Sequence, residues 1–424
     1  MTVTLLPLIS LPAFSASSDI PTLHLLQAER LSDLRKAYQA DHAADSQSPT
    51  GQASSSNSAL RPGARELAVK VVAHADKVID SPIFTITRNK EKFFRNSGIT
   101  DARDFYSTAP YYWPDPSKPD GLPYIRRDGE HNPERAKLSD QKELDGLISA
   151  VGPLTLAYYV TGEERYAASA SRLLRAFFLD PNTRMNPNMT HAQAVLGVNT
   201  GRSIGIIDTL AFSQLSDCIA LLSPSAAWTS EDRAAMRSWW RDFGDWLQHS
   251  APGKQEGAAH NNHGTNYDLQ LAGVLFGAGD EEGARKVLGI SVPSRMDSQI
   301  KPDGQQPEEE ARTTSWHYSN FNLRSFCKLA VMAQSLGINI WSHQAPDGSG
   351  SLKKAMLFLI PYLSHPKEWK FQEISTFSDE GSRPWLALGG VEYEDASIRA
   401  ARDQFATPDK LDLFDWLSVP DKRP

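Results

Sequence analysis

The sequence predicts a mainly all-α protein, an α/α toroid built as an incomplete barrel of antiparallel helical hairpins with long loops. From residue 138 onward, apolar residues recur at helical spacing in one segment after another. The alternation of apolar and polar residues that is typical of strands is scarce. An α-solenoid is the competing architecture, but its repeat of about 34 or 40 residues is absent. Many amphipathic hairpins are therefore best buried as a ring of paired helices.

Leucines near helical spacing predict a first helix over residues 21–42. The Ser-, Ala- and Gln-rich stretch 43–60 is interpreted as a surface loop or a poorly ordered one. A hairpin follows over residues 144–177, because two apolar faces are separated by Thr161-Gly162. Thr229 with Asp232 resembles a helix cap. Further helices are expected at 64–79, 204–222, 230–247, 267–278, 281–289, 316–336 and 350–363, and short strands or loops at 370–390.

Residues 105–135 stand apart from this helical pattern. Their prolines and glycines exclude a long helix. A long irregular segment inside a compact protein is often a functional loop. Tyr111, Tyr112 and Trp113 are candidate platforms for sugar rings, and a well-packed structural loop is the equal alternative.

The N-terminus and the domain organisation are also open to prediction. Residues 1–17 are apolar and end in small residues, which predicts a cleaved secretory signal peptide, although no basic residue stands near the start. The sequon Asn188-Met189-Thr190 agrees with a secreted, extracellular protein. No linker divides the remaining chain, so we expect one catalytic domain over residues 18–424.

Charge and cysteine content exclude several classes of function. The formal net charge of −7 argues against a nucleic-acid or anionic-membrane partner, although a local arginine cluster could still bind an anionic substrate. Cys218 and Cys327 lie on the apolar sides of predicted helices, which favours buried free thiols over a disulfide. No zinc-type spacing exists, and we expect neither a metal nor another cofactor.

Two polar clusters about fifty residues apart carry the strongest functional signal. His260-Asn261-Asn262-His263 precedes an apolar helical run, and Arg312 stands shortly before His317-Tyr318. Polar side chains this dense cost free energy to bury unless each finds a partner. We therefore expect both clusters to face one cleft and to meet across a single site.

The residue types in these clusters suit elimination from a 4-O-linked uronic acid. Its C5 proton is α to a carboxylate, so donors must neutralise that carboxylate while a base removes the proton and an acid protonates the leaving oxygen. Asn, His and Arg suit the first task, and Tyr or His the other two. Because a phenol titrates near pH 10, a cation such as Arg312 would help Tyr318 to act as a base.

Residues 261–268 resemble the Asn-Asn-His signature of the alginate lyase superfamily with helical toroid folds, and residues 310–323 are similar to its partner motif. Residues 109–116 and 201–208 also resemble segments of that family, so that the resemblance covers about residues 100–330. It implies a polysaccharide lyase that acts by β-elimination on an anionic polysaccharide, such as alginate or glucuronan, without a required metal.

The resemblance also implies roles for individual residues. Asn262 would neutralise the carboxylate, and His263 would assist it or serve as the base. Tyr318 would be the acid and, in a syn elimination, also the base, while Arg312 would hold the tyrosine or the substrate. The predicted substrate contacts are Asn261, Gln193, Arg202, Tyr111, Tyr112, Trp113, His317 and Tyr267. Gly264-Thr265 replace bulkier residues common in the superfamily, so the preferred polymer stays open.

Structural interpretations compete with these roles. Asn261 or Asn262 could simply cap the following helix. Arg312 could form an ion pair with one of the three glutamates at 308–310, which we otherwise expect to be a solvated run.

Three other functions also stay open. A glycoside hydrolase would need a carboxylate pair, for which Asp303, Glu309 and Asp268 are candidates. A metalloenzyme would use His260, His263 and Asp268, although their spacing matches no established motif. A non-catalytic polysaccharide-binding protein would tolerate loss of the Tyr318 hydroxyl, whereas a lyase would not.

Overall fold

The computed structural model describes residues 20–46, 60–88, 90 and 98–421. The predicted signal peptide and most of the stretch 43–60 lie outside the described residues. Among the described helices, none combines the length and the apolar character that crossing a membrane requires.

The fold is an all-α toroid, as the periodicity predicts. Its helices are α1 (Ala28–Ser46), α2 (Ala64–Val78), α3 (Gln141–Thr161), α4 (Glu164–Leu174), α5 (Phe212–Ala220), α6 (Ser230–His249), α7 (Ala251–Gly257), α8 (Asn262–Ala278), α9 (Glu281–Lys286), α10 (Val292–Gln299), α11 (Pro307–Glu310), α12 (Ser315–Ser335), α13 (Leu352–Leu359), α14 (Arg383–Glu392), α15 (Ala396–Phe405) and α16 (Leu413–Ser418). Short 3₁₀ or π turns connect several of them, including Ser203–Thr209 between the long loops and α5.

The described strands are short and belong to the loops. They are β1 (Tyr106–Thr108), β2 (Tyr112–Trp113), β3 (Ile125–Arg126) and β4 (His191–Ala194). β1 pairs in parallel with β4, and β2 pairs antiparallel with β3. The β1–β4 ladder ties the irregular segment 105–135 to the residues around position 193, whereas the β2–β3 ladder lies within that segment.

The helical hairpin of α3 and α4 forms as its apolar pattern predicts. Leu144, Leu147 and Leu154 are buried on α3. Gly162 ends the helix in the left-handed conformation, with φ of 77°, and its N–H donates to the carbonyl of Tyr158. Glycine adopts this conformation without the steric cost that a Cβ imposes. The two helices then pack against each other.

Helix α8 lies among the other helices and packs against α5, α6 and α12. Helix α6 begins with a capping box between Thr229 and Asp232, as predicted. A cluster of edge-to-face aromatic rings that includes Phe212, Trp239 and Trp240 fills the space between α5 and α6. One cluster of buried apolar side chains includes residues from Leu25 to Val419.

Several boundaries differ from the predictions, and three of these differences have local reasons. Helix α1 begins at Ala28 because the backbone N–H groups of residues 24–26 donate to the buried carboxylate of Asp217. Helix α8 begins at Asn262, five residues early, because Asn261 caps it. Over residues 383–390 the expectation of short strands or loops is wrong: α14 forms there and buries Trp385 and Leu386.

Cys218 and Cys327 are both buried and free, in agreement with the thiol interpretation. Burial raises the pKa of the Cys218 thiol to about 12, so the group stays protonated and unreactive.

Candidate active site

Four segments of the chain enclose a cleft of about 420 Å³. They are the loop around β2 and β3, the residues from β4 to the following 3₁₀ turn, the start of α8, and the stretch from α11 into α12. The predicted site residues that line this cleft are Tyr111, Tyr112, Gln193, Arg202, Asn261, Asn262, His263, Arg312, His317 and Tyr318. The two polar clusters therefore meet, as their composition suggests.

Tyr318 lies in the first turn of α12, with only 7% of its surface exposed. Its hydroxyl shares a hydrogen bond of 2.6 Å with the hydroxyl of Tyr111. This contact joins the irregular loop to α12, which are more than 200 residues apart in sequence. The phenol is thus held at the wall of the cleft by its ring packing and by one hydroxyl partner.

The guanidinium of Arg312 lies over the ring of Tyr318, 3.8 Å from the ring centre. It also donates two hydrogen bonds, of 3.1 and 2.9 Å, to the carboxylate of Asp128. The glutamates at 308–310 are therefore not its ion-pair partners. A planar guanidinium suits this arrangement, because it can stack on a ring while its edge binds a carboxylate.

Asp128 collects several donors around Arg312. Arg126 donates a hydrogen bond of 2.7 Å and Thr313 one of 3.1 Å to the same carboxylate. Burial opposes ionisation, but the hydrogen bonds from Arg312 and Arg126 hold the pKa of Asp128 well below its usual range. The residue is therefore an anion that anchors Arg312 to the loop.

The protonation of Tyr318 differs from the simplest expectation. Burial and the neighbouring Tyr111 raise its pKa well above the usual value of a phenol, and Arg312 only partly offsets this effect. Tyr318 therefore carries its proton in the free protein. This state suits a proton donor, whereas the base role expected with help from Arg312 requires that the proton leave first.

The start of α8 aims two predicted residues into the cleft. The Asn261 side chain caps the helix by accepting from the N–H of His263. Asn262 is 1% exposed and donates to Glu309 from its backbone N–H, at 2.5 Å, and from Nδ2, at 2.6 Å. Its Oδ1 has no hydrogen-bond partner among the described residues. Asn261 thus combines the capping role with a place in the cleft wall.

His263 is oriented by a carboxylate that the sequence analysis missed. Its Nδ1 lies 2.7 Å from Oε1 of Glu256, which is 1% exposed. Because a carboxylate oxygen accepts, Nδ1 donates, and Nε2 has no partner among the described residues. Glu256 lies in the short helix α7, where no local pattern distinguishes it from a solvated glutamate.

Gln193 and Arg202 form another part of the cleft wall. Gln193 adopts a φ of 49°, uncommon for a residue with a side chain, and its Nε2 donates to Asp208 at 2.8 Å. Arg202 donates to the backbone and side-chain oxygens of Gln193 and lies 5.0 Å from the Tyr112 ring centre. These contacts fix an arginine and an aromatic ring beside the cleft.

Two predicted contacts lie outside this cleft. Tyr267 is buried and donates from its hydroxyl to the carbonyl of Leu247 at 2.9 Å, so its position on α8 serves packing. Trp113 donates from Nε1 to the carbonyl of Glu130 and does not line the cleft. The sequence motif placed both residues near the site but could not determine which side of the backbone faces the cavity.

The solvated run expected at 308–310 is wrong for two of its members. Glu309 and Glu310 are buried, with exposures of 1% and 5%, and only Glu308 is exposed. Helix α11 turns these two side chains inward, and Glu310 accepts from the backbone N–H of Gln306. A run of identical charges shows no periodicity from which this direction could be read.

The cleft itself is rich in cationic and imidazole groups. Its described lining includes Arg126, Arg202 and Arg312 together with the imidazoles of His131, His263 and His317, and it includes no Asp or Glu side chain. His131 was not predicted, although it lies in the irregular segment 105–135 that was singled out. The chain is acidic overall, yet the described cleft has the charge that attracts an anion.

Asp268 and Asp303, which were considered for hydrolysis or metal binding, do not line the cleft. Asp268 forms an ion pair of 2.6 Å with Arg295, and Asp303 is exposed. In the described ranges, no three His, Cys, Asp or Glu side chains are grouped so as to hold a metal ion.

Comparison with known proteins decides the family. The alginate lyase family model matches residues 90–369, most of the chain. The chain belongs to the alginate lyase family. The protein is therefore a polysaccharide lyase, and the residues that line its cleft lie within the matched region.

Solved structures agree with this assignment. An alginate lyase from Bacteroides ovatus is 33% identical, with a TM-score of 0.83, and the alignment covers 95% of this chain and 100% of that one. Alginate lyase A1-III from Sphingomonas species A1 is 15% identical with a TM-score of 0.50, covering 77% and 87% of the two chains, which shows the shared fold. A histidine-to-alanine variant of A1-III, solved with a tetrasaccharide, is 14% identical with a TM-score of 0.53 and covers 84% and 95%. No curated protein matches the chain.

Proposed function

We propose that the protein cleaves a 4-O-linked polyuronate, such as alginate or glucuronan, by β-elimination. The observation that carries this proposal is that the phenol of Tyr318, the imidazole of His263 and the amide of Asn262 line one cleft. Arg312 lines the same cleft and lies over the ring of Tyr318. The family supports a polysaccharide lyase, and the cationic lining supports a sugar acid as its substrate.

The two proton transfers fall to His263 and Tyr318. The free Nε2 of His263 removes the proton from C5, and the electrons of that C–H bond form the C4=C5 double bond. The C4–O4 bond breaks, and the buried, protonated hydroxyl of Tyr318 gives its proton to O4. Each proton and electron pair is thereby accounted for without another reactant.

Charge stabilisation falls to the residues around this pair. Asn262 neutralises the sugar carboxylate, which becomes more electron-rich as the C5 proton leaves. Glu256 fixes the tautomer and the plane of His263, and Arg312 fixes the ring of Tyr318. Preorganised groups of this kind need not reorganise during the reaction.

The rest of the lining provides the substrate contacts. Arg202 offers its charge, while Tyr111 and Tyr112 present aromatic surface to a sugar ring. Gln193, Asn261 and His317 also face the cleft. Two solved A1-III variants hold a tetrasaccharide, which supports a polysaccharide as the partner here.

A glycoside hydrolase is the weaker alternative. It needs two carboxyl groups that flank the scissile bond, about 5 to 9.5 Å apart. None of the described residues lining the cleft carries one. Asp268 is paired with Arg295, and Glu309 accepts two hydrogen bonds from Asn262.

The deciding experiment measures the unsaturated product by its ultraviolet absorbance across alginate blocks, glucuronan and pectate. We expect Tyr318→Phe and His263→Ala each to lower kcat by about 10³-fold, since each removes one proton-transfer group. Tyr267→Phe is the matched control, because it removes a buried hydroxyl outside the cleft and should keep turnover.

Circular dichroism and urea denaturation establish that each variant is folded. Wild-type turnover by Tyr318→Phe, or new reducing ends without the ultraviolet band, would rule out the proposed elimination. Binding of a polyuronate by the wild type with no cleavage would indicate a binding protein instead.

We also propose that the enzyme is secreted. The apolar stretch 1–17 and the sequon at Asn188 support this. N-terminal sequencing of protein collected from culture medium should begin after residue 17, and retention of the full chain inside the cell would contradict it.

A further inference from the structure

Glu309 binds Asn262, which lines the cleft, but does not itself line the cleft. Its Oε1 accepts from the backbone N–H of Asn262 and its Oε2 from Nδ2, at 2.5 and 2.6 Å. Glu309 and Asn262 are each 1% exposed. The remaining polar atom of the amide, Oδ1, is buried and has no partner among the described residues. A buried polar atom without a partner is rare and costs free energy.

The charged groups that face Glu309 come from two elements. Arg312 follows α11 and His263 lies on α8, and both favour the ionised carboxylate without hydrogen bonding to it. Burial outweighs them and outweighs the bonds from Asn262, so that the pKa of Glu309 is raised to about 7. The side chain therefore exchanges its proton near neutral pH.

The proposed function brings a second carboxylate to the same amide. With Glu309 ionised, one of the two N–H groups of Nδ2 is committed to Glu309, and the unpaired Oδ1 can only accept. A sugar carboxylate also needs donors, and it would lie one amide away from a buried negative charge. Two like charges at such a site cannot both stay ionised without a large cost.

We propose that Glu309 takes up one proton from solvent when the sugar acid binds, and that Asn262 then turns its amide. Oδ1 accepts the new O–H of Glu309, and Nδ2 donates to the sugar carboxylate. Glu309 is thus a positioning residue that acts through Asn262. The inference rests on the proposed function, because it needs a uronate in the cleft.

Glu309→Gln should reproduce the protonated arrangement permanently. The glutamine carbonyl can accept from the N–H of Asn262 while its NH₂ donates to Oδ1, without a change in size. Glu308→Gln is the matched control: it removes the same charge one residue away from an exposed side chain. Both changes are made in a Tyr318→Phe protein, so that the sugar is bound but not cleaved.

Binding is measured between about pH 6 and pH 9 with tetrasaccharides of mannuronate, guluronate and glucuronate as probes. Coupling to one proton predicts that affinity in the Tyr318→Phe protein falls about tenfold for each pH unit above about 7. Tyr318→Phe with Glu308→Gln should keep this slope. Tyr318→Phe with Glu309→Gln should bind at pH 9 as tightly as the parent binds at pH 6.

Difference infrared spectroscopy distinguishes Glu309 from the histidines. Probe binding at pH 8 should produce the C=O stretch of a protonated carboxyl group, which an imidazole cannot give. The band should be present in the Tyr318→Phe protein and in its Glu308→Gln derivative, and absent with Glu309→Gln. The parent spectrum decides the proton uptake even if the Glu309→Gln protein does not fold.

Each remaining outcome has one meaning. Binding without a pH slope and without the carboxyl band overturns the inference and leaves the elimination mechanism intact. Loss of binding on Glu309→Gln in a folded protein also overturns it, because the ionised carboxylate would then be the required form. If no tetrasaccharide binds at any pH, the proposed function fails, and this inference fails with it.

Discussion

Asp128→Asn tests whether the irregular loop and α12 form one site. The substitution keeps the size of the side chain but removes the charge that pairs with Arg312. The side chains of Arg312 and Asp128 are 15% and 18% exposed, so the pair is largely shielded from water. The asparagine also presents an NH₂ group where Arg126, Arg312 and Thr313 now find an acceptor.

The expected cost follows from these contacts. Removing one partner of a fully buried pair costs about 3 to 5 kcal/mol, whereas exposed pairs contribute about 0 to 1 kcal/mol. The pair is partly exposed, and asparagine keeps one of the two side-chain oxygens. We therefore expect Asp128→Asn to lower the free energy of unfolding by about 2 kcal/mol. We also expect kcat to fall about tenfold, because Arg312 no longer holds the Tyr318 ring in place.

Urea denaturation measures the first effect and the ultraviolet assay the second. Asp101→Asn is the control, since it makes the same change in a more exposed pair with Arg103, at 36% and 33% exposure. It should cost less than half as much stability and leave kcat unchanged. If the two variants have equal m-values and lose equal amounts of unfolding free energy and of kcat, Asp128 does not organise the site.

Two further predictions concern buried carboxylates. Glu256→Gln should lower kcat by about 10- to 100-fold with little change in KM. The reason is that a neutral amide orients His263 less strongly and stabilises its charged form less. Steady-state kinetics in which KM rises and kcat does not change would contradict this prediction. Burial raises the pKa of Asp217 to about 6, although three backbone N–H groups oppose the shift. The native state therefore binds more protons than the unfolded chain between about pH 4 and 6, so Asp217 should make stability fall as pH rises through that window. Urea midpoints across this range should show the fall, and Asp217→Asn should flatten it.

Much of the fold is encoded locally. The spacing of Leu144, Leu147 and Leu154 defines one face of α3, and Gly162 marks its end. Thr229 and Asp232 form the cap that their types predict. These features depend on residues three or four positions apart, which the sequence displays directly. The polar clusters at 260–263 and 312–318 are visible for the same reason.

Local sequence did not reveal the carboxylates that bind the site residues. Glu256 orients His263, Asp128 anchors Arg312, and Glu309 lies behind Asn262. None of these carboxylates differs in its local sequence from a solvated one. Trp113 and Tyr267 show the converse. Trp113 directly follows Tyr112, and Tyr267 lies four residues after His263, yet neither lines the cleft.

The sequence by itself determined the helical architecture, the two polar segments that meet at the cleft, and the family to which the chain belongs. Only the tertiary structure decided which acidic side chains are buried and which groups they bind. The physical reason is that the free energy of a buried charge depends on partners from distant segments, and these are set when the helices pack.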